Sequence, residues 1–314
     1  MAAVKRPRTA DLFSPGERAH FFDVSPWRGL ALVGHAWAVI GAMVALCLVF
    51  PHPITFFVAL PVIAGRQLGL AILMHEAAHG LLHPNKKIND HVGRWIAGAP
   101  VLTDLGAYRD YHLKHHRYTQ QPEDPDLPLS APFPVTKQSF RRKIVRDLTG
   151  QTFAKLLIGT LTIAFGPKTE EQSDQRAIAR KALARKGIFL SLFFIISMAI
   201  GAPWLVFLWV VAFGTWFQLF LRLRNIAEHA CTDTNDDPYT HARTTYGRWW
   251  ERPFVAPYWV NYHAEHHLFM YAPCYRLRAL HAALRDRGLT EGMTLADGYG
   301  SVLQLISSKP ATAA

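Results

Sequence analysis

ITFFVALPVIAGRQLGLAILMHEAAHG, residues 54–80, sets the fold of this chain. Residues 54–74 are apolar apart from Arg66 and Gln67, over about the 20 residues a bilayer-crossing helix needs, and they lead without a break into His75 and His79. Upstream, residues 29–50 make another apolar run, and Pro51 and Pro53 leave only a very short turn between the two. They are read as a hairpin. Residues 187–202 and 204–223, parted by Pro203, read as a second hairpin whose last helix runs into RLRNIAEH. Because lipid leaves backbone polar groups no partners outside helices or closed barrels, the expected fold is all-α and integral to the membrane, with four transmembrane helices in two hairpins.

Half of the 314 residues are hydrophobic and the formal charge is +11. The Lys and Arg residues lie between the apolar runs and not along one aromatic-laced basic face, which points to a membrane surface and away from nucleic acid. Cys47, Cys231 and Cys274 form no CxxC pattern and are odd in number, so reduced thiols are expected. Lys5, Arg6 and Arg8 precede the first apolar run with no small-residue cleavage site after it, which reads as an uncleaved first span.

The turns near 51–53 and 201–203 carry no Lys or Arg, whereas Arg141, Arg142, Lys143, Arg146, Arg180, Lys181, Arg185, Lys186, Arg222 and Arg224 lie at the opposite ends of the spans. Both termini and the histidine motifs are therefore expected in the cytoplasm. Residues 81–186 and the chain after Arg224 would form one helical cap, with 92–102 and 153–165 as short interfacial helices and the final SSKPATAA as a disordered tail. The chain is expected to make one domain over 1–314.

The chemistry lies in the histidines: His75 and His79 in HEAAH; His112, His115 and His116 in HLKHH; His263, His266 and His267 in HAEHH; and Asn225 with His229 in NIAEH. Random placement of 16 histidines among 314 residues yields about 0.04 HxxHH motifs, and the chain has both HLKHH and HAEHH. Positions i, i+3 and i+4 share a helix face and can converge on one ion or a close pair, so each box is expected to form half of a site. Nine imidazoles exceed one tetrahedral metal, which implies two metals. Glu76, Glu228, Glu265, Asp110 and Asp124 lie in or beside the boxes and are expected to hold the outer ring nitrogens. His83 and His91 are not needed as ligands, and His20, His35, His52, His241 and His281 stand alone.

These motifs resemble the three histidine boxes of the membrane fatty acid desaturase and hydroxylase family, over about residues 29–285, and NIAEH is similar to that family's further Asn-x-x-x-His element. The resemblance implies two iron ions held by the nine histidines and Asn225, with O2 as co-substrate. It also implies electrons from a separate ferredoxin, rubredoxin or cytochrome b5, and oxidation of a lipid or fatty-acyl chain, desaturation first. HEAAH has three residues between its histidines, a short first box that also occurs in bacterial lipid desaturases, hydroxylases and carotenoid-modifying relatives. Hydroxylation or ketolation is therefore the alternative outcome, and a bacterial inner membrane the expected location. HEAAH alone also fits the HExxH zinc-protease pattern, but that reading leaves both HxxHH boxes and His229 unexplained. A metal transporter would place ligands through the middle of several spans, where this chain has almost none.

Arg66 and Gln67 leave two readings open, a polar contact within the bundle or snorkelling of Arg66 to the interface. Trp249, Trp250, Tyr258, Trp259 and Tyr262 read as an interfacial aromatic belt.

Overall fold

A computed structural model describes residues 3–167 and 173–310. Its frame is built from α1 (Arg28–Val49), α2 (Pro53–His79), α3 (Leu105–Tyr118), α4 (Lys137–Leu148), α5 (Gln151–Phe165), α6 (Ser173–Ala199), α7 (Leu205–His229), α8 (His263–Leu268), α9 (Cys274–Arg285) and α10 (Tyr299–Ile306). Four helices, Arg28–Val49, Pro53–His79, Gln175–Ala199 and Leu205–His229, are long and apolar enough to cross a membrane.

The start of α2 is fixed by His52, whose ring accepts the Ile54 N–H, and by Pro53 at the first helical position; its end is set by Gly80 at φ +79°. At about 1.5 Å per residue its 27 residues extend about 40 Å, beyond the roughly 30 Å of a hydrocarbon core. The excess is the histidine box itself. The helix expected over 54–74 thus continues to His79, and that expected over 204–223 continues to His229. α6 starts well before residue 187, because ARKALARK is rich in strong helix formers and carries the helix past its apolar part.

Burial separates two inner from two outer helices. In α2 and α7, 61% and 56% of the apolar window is buried, against 22% in α1 and 6% in α6. α2 and α7 meet through the Gln67 amide, which donates to the Trp209 carbonyl at 3.1 Å, and Trp37 of α1 stacks on Trp209 at 5.8 Å. A buried hydrogen bond of this kind contributes about 1 kcal/mol, and leaving the carbonyl without it would cost more. Arg66 donates to the Pro253 carbonyl, so the bundle-contact reading of this polar pair holds.

Residues 92–98 form a π-helical turn packed on α2. A Cβ at Gly93 would lie 2.3 Å from the Ala77 Cβ, so only glycine permits that approach. α4 and α5 meet at a 69° bend, with Gly150 at φ +76° as the joint. Asp147 of α4, fully buried, takes both ends of the Arg222 guanidinium at 2.5 and 2.8 Å and ties this pair to α7. After α7 the chain makes a parallel pair, β1 (Arg243–Thr245) with β2 (Thr294–Ala296). Ser308 bridges to Thr136, so only the last four residues of the expected disordered tail, 311–314, lie outside the described residues.

Tyr258 is not a belt residue: it packs among all three apolar clusters, and Tyr262 leans on His281. Trp249 and Trp250 are exposed.

Candidate metal centre

Four helices bring the histidines in by their C-terminal turns. His75 and His79 end α2, His229 ends α7, His112, His115 and His116 occupy the last two turns of α3, and HAEHH makes up most of α8. α3 is positioned by Asp104, which caps it by accepting the Ala107 N–H at 2.9 Å and pairs with Arg185 of α6. A helix C-terminus carries partial negative charge, so four of them converging favour cations between them.

The nine histidines fall into two groups whose ligating atoms lie within 4.8 Å of one another: His75, His79, His112, His116 and His266; and His115, His229, His263 and His267. Neither HxxHH box is one half of a site, contrary to the expectation from spacing. HLKHH gives two rings to the first group and one to the second, and HAEHH gives one and two. Adjacent helical positions point about 100° apart, so His115 and His116 diverge to opposite sides while His112 lies between. The groups touch where His116 stacks on His267 at 4.3 Å.

The outer nitrogens are held unequally. In the second group, His115 Nδ1 meets Asp124 at 2.8 Å, His229 Nδ1 donates to the His241 carbonyl at 3.2 Å, His267 Nδ1 lies 3.3 Å from Thr119 Oγ1, and His263 Nδ1 lies 3.4 Å from Glu228. In the first, His75 lies 3.4 Å from Glu76, and His79, His116 and His266 have no partner on Nδ1 among the described residues.

Two expected carboxylates do something else. Asp110 is exposed, because its position on α3 points away from the site. Glu265, fully buried, meets His281 Nδ1 at 2.5 Å and accepts from Thr244, while His281 Nε2 lies 3.0 Å from the Tyr246 hydroxyl. His281 thus enters the surroundings of the site although nothing around it in sequence marks it. Glu76 accepts the Cys274 N–H at 2.7 Å on the outer side of His75, so it is not placed as the metal-facing base that the HExxH protease reading requires.

Three arginines hold the ends of the same helices. Arg109 donates to the Ala77 and Ala78 carbonyls of α2 at 2.8 and 2.9 Å. Arg243 donates to Ala227, Ala230 and Cys231 at the end of α7. Arg6 reaches from the N-terminal segment to the His116 and His267 carbonyls at 2.5 and 2.6 Å, joining the ends of α3 and α8. Sequence reasoning missed all three, since a guanidinium contacting backbone carbonyls leaves no side-chain pattern to detect. Gln120, at φ +59°, likewise donates to the His229 carbonyl at 2.6 Å.

Burial among like rings holds His112, His116, His263, His266 and His267 well below the ordinary imidazole range, so they are neutral at neutral pH with lone pairs free to ligate. The Nε2 atom of His263 faces those of both His229 and His267, at 2.9 and 3.0 Å, and His116 Nε2 faces those of His112 and His266, each at 3.0 Å. One nitrogen cannot hydrogen-bond well to two like neighbours at once, and both nitrogens of His75 and of His79 are buried without a hydrogen-bond partner. A cation in each group would satisfy these lone pairs, and all-imidazole donors suit first-row transition metals.

A cavity of about 370 Å³ ends on the site. Its walls include Met74, Leu157, Phe213, Phe217 and Leu221; its inner end is formed by His112, His115, His229 and His263, with Asn225 one turn before His229 also in the wall. Tyr111, hydrogen-bonded to Asp126, and Lys186 also line it.

Fold and site together define an integral membrane protein with two clusters of buried histidines able to hold metal. The fatty acid desaturase family model matches residues 51–298, and the chain belongs to that family and is an oxidoreductase. It is 29% identical to dihydrorhizobitoxine desaturase of Bradyrhizobium elkanii, over 73% of this chain and 68% of that protein. It is 26% identical to an sn-1 oleoyl-lipid 12-desaturase of Synechocystis sp. over 69% and 65%, and 24% identical to a zeaxanthin 4-ketolase of Chlamydomonas reinhardtii over 71% and 44%.

Proposed function

We propose that this protein is an O2-dependent di-iron desaturase of a lipid acyl chain, all of 1–314 serving one catalytic unit. The observation that carries the proposal is the apolar cavity ending on histidines of both groups. His75, His79, His112, His116 and His266 would hold one iron, and His115, His229, His263 and His267 the other, with Asn225 beside the second. When bound, the iron pair would supply activation of O2; two hydrogens from adjacent methylenes, with two electrons from a separate donor and two protons from solvent, would then reduce O2 to two waters and leave a double bond.

The chain's own part is placement. Phe213, Phe217 and Leu221 offer the hydrocarbon an apolar wall that excludes water, while Tyr108, stacked on His112 at 5.2 Å, closes the inner end. Tyr111, Asp126 and Lys186 give the lining polar groups suited to a head group. Arg224 lies 2.7 Å from Glu228, whose carboxylate stands 3.4 Å from His263 Nδ1.

The positive charges at one end of the spans support two hairpins with the cap, the termini and the histidines in the cytoplasm, in a bacterial inner membrane. They also suit docking of an acidic ferredoxin, rubredoxin or cytochrome b5 as electron donor. The ketolase likeness supports a second reading, in which the same site hydroxylates or ketolates a lipid or carotenoid. Lipid analysis of a host expressing the chain with O2 and an electron donor separates these. New double bonds support desaturation, new hydroxyl or keto groups support the second reading, and an unchanged lipid profile with iron fully loaded overturns both.

A further inference from the structure

α2 turns a different face toward a second recess. This open groove, of about 620 Å³, is bounded by α1, α2 and the stretch 249–259, with Val39, Val62 and Phe254 supplying apolar surface and Arg66, Arg252 and His35 supplying polar groups. Arg66 is only 6% exposed. Its guanidinium lies 5.6 Å over the Tyr258 ring, hydrogen-bonds the Tyr258 side chain and donates to the Pro253 carbonyl, which leaves part of its five N–H groups for a ligand. Tyr258 is itself oriented by His35, whose Nδ1 lies 3.1 Å from its hydroxyl.

Among the described residues neither Arg66 nor Arg252 has a carboxylate in ion-pair contact. The acid nearest in sequence, Glu251, is engaged by the Arg248 N–H at 2.7 Å. A guanidinium this deeply buried, in a helix long enough to span a membrane, calls for an anion. Trp249, 73% exposed, and Trp259 line the same groove, and such residues favour the level of lipid head groups.

We propose that this groove binds a phosphate group, delivered as the head group of an anionic phospholipid, with the phosphate on Arg66 and Arg252 and the acyl chain along Val39, Val62 and Phe254. Arginine's fork matches phosphate oxygens in pairs, and the apolar surface beside it matches an acyl chain and not a free ion. The site is separate from the cavity that ends on the histidines, and its occupancy does not depend on the reaction proposed there.

Native mass spectrometry of the iron-loaded protein in mild detergent tests this, with phosphatidylglycerol and the phosphate-free diacylglycerol of matched chains and with inorganic phosphate as competitor. The expected result is retention of phosphatidylglycerol about tenfold over diacylglycerol, and loss of most of that preference in Arg66→Gln and in Arg252→Gln. Arg252 is half-buried and remote from the histidines in the groove wall, and its variant should keep wild-type iron content, which separates loss of the site from loss of the fold. Equal retention of the two lipids, or an unchanged preference in Arg252→Gln, overturns the proposal. Displacement of phosphatidylglycerol by millimolar inorganic phosphate would reassign the site to the free anion and overturn the lipid assignment.

Discussion

The two histidine groups are built from the same helices and differ in how they are held. The group of four has every outer nitrogen near a named partner, from Asp124 at 2.8 Å to Glu228 at 3.4 Å, and has the cavity wall at Asn225 beside it. The group of five relies on ring packing: His75 on His112 at 4.4 Å, His79 on His266 at 4.8 Å, and Tyr108 on His112. One group has hydrogen-bonding partners within 3.3 Å on three of its four outer nitrogens and no ligand to spare; the other is fixed by number. A chain can therefore secure a cation either by orienting few donors or by crowding many.

Removing one ligand from each group is the strongest way to break this contrast. His229→Ala leaves three imidazoles and His79→Ala leaves four, so His229→Ala should lower iron from about two to about one per chain and cut product at least about 100-fold. His79→Ala should keep more iron. Equal iron loss in the two folded variants would refute the contrast.

Asp124→Asn sharpens it. His115 loses a charged partner on Nδ1, and iron affinity of the group of four should fall about 10- to 100-fold while that of the group of five falls much less, read by anaerobic Fe(II) titration with Mössbauer spectra. A uniform change across both iron signals would count against the assignment.

Arg6→Gln should act on both groups alike, because Arg6 holds carbonyls of His116 in one and His267 in the other. Losing these charge-assisted bonds should cost about 1–3 kcal/mol, seen as a lower midpoint of thermal unfolding, and iron should be lost from both sites together. The smallest effect belongs to His83→Ala. Its ring accepts the Asn85 N–H at 2.9 Å and lies in neither histidine group, and iron content and product should stay at wild-type levels.

These cases also mark what could be read without coordinates. Apolar length placed the four long helices, and the i, i+3, i+4 spacing picked out the histidines that converge, since both are properties of one helix at a time. The division of His115 from His116 was not legible, because it depends on which neighbouring helix each flank meets. Asp110 and Glu265 failed for the same reason: closeness to a histidine in sequence turns a side chain away from it on the helix, by about 200° for Asp110 two positions from His112 and about 100° for Glu265 beside His266. Arg6, Arg109 and Arg243 contact backbone carbonyls, which every residue has, so no residue type on the other side announces them.

Because HLKHH and HAEHH each serve both groups, the two sites cannot be filled independently. A first ion that fixes His112, His116 and His266 also immobilises the helical turns bearing His115, His263 and His267. The second ion then meets rings whose freedom has already been removed, which is positive cooperativity by preordering. Metal uptake should follow a sigmoidal curve with a Hill coefficient above one, and a half-filled population should stay scarce throughout the titration. A cell short of iron would then hold fully charged and fully empty copies of the protein, with few carrying a lone ion.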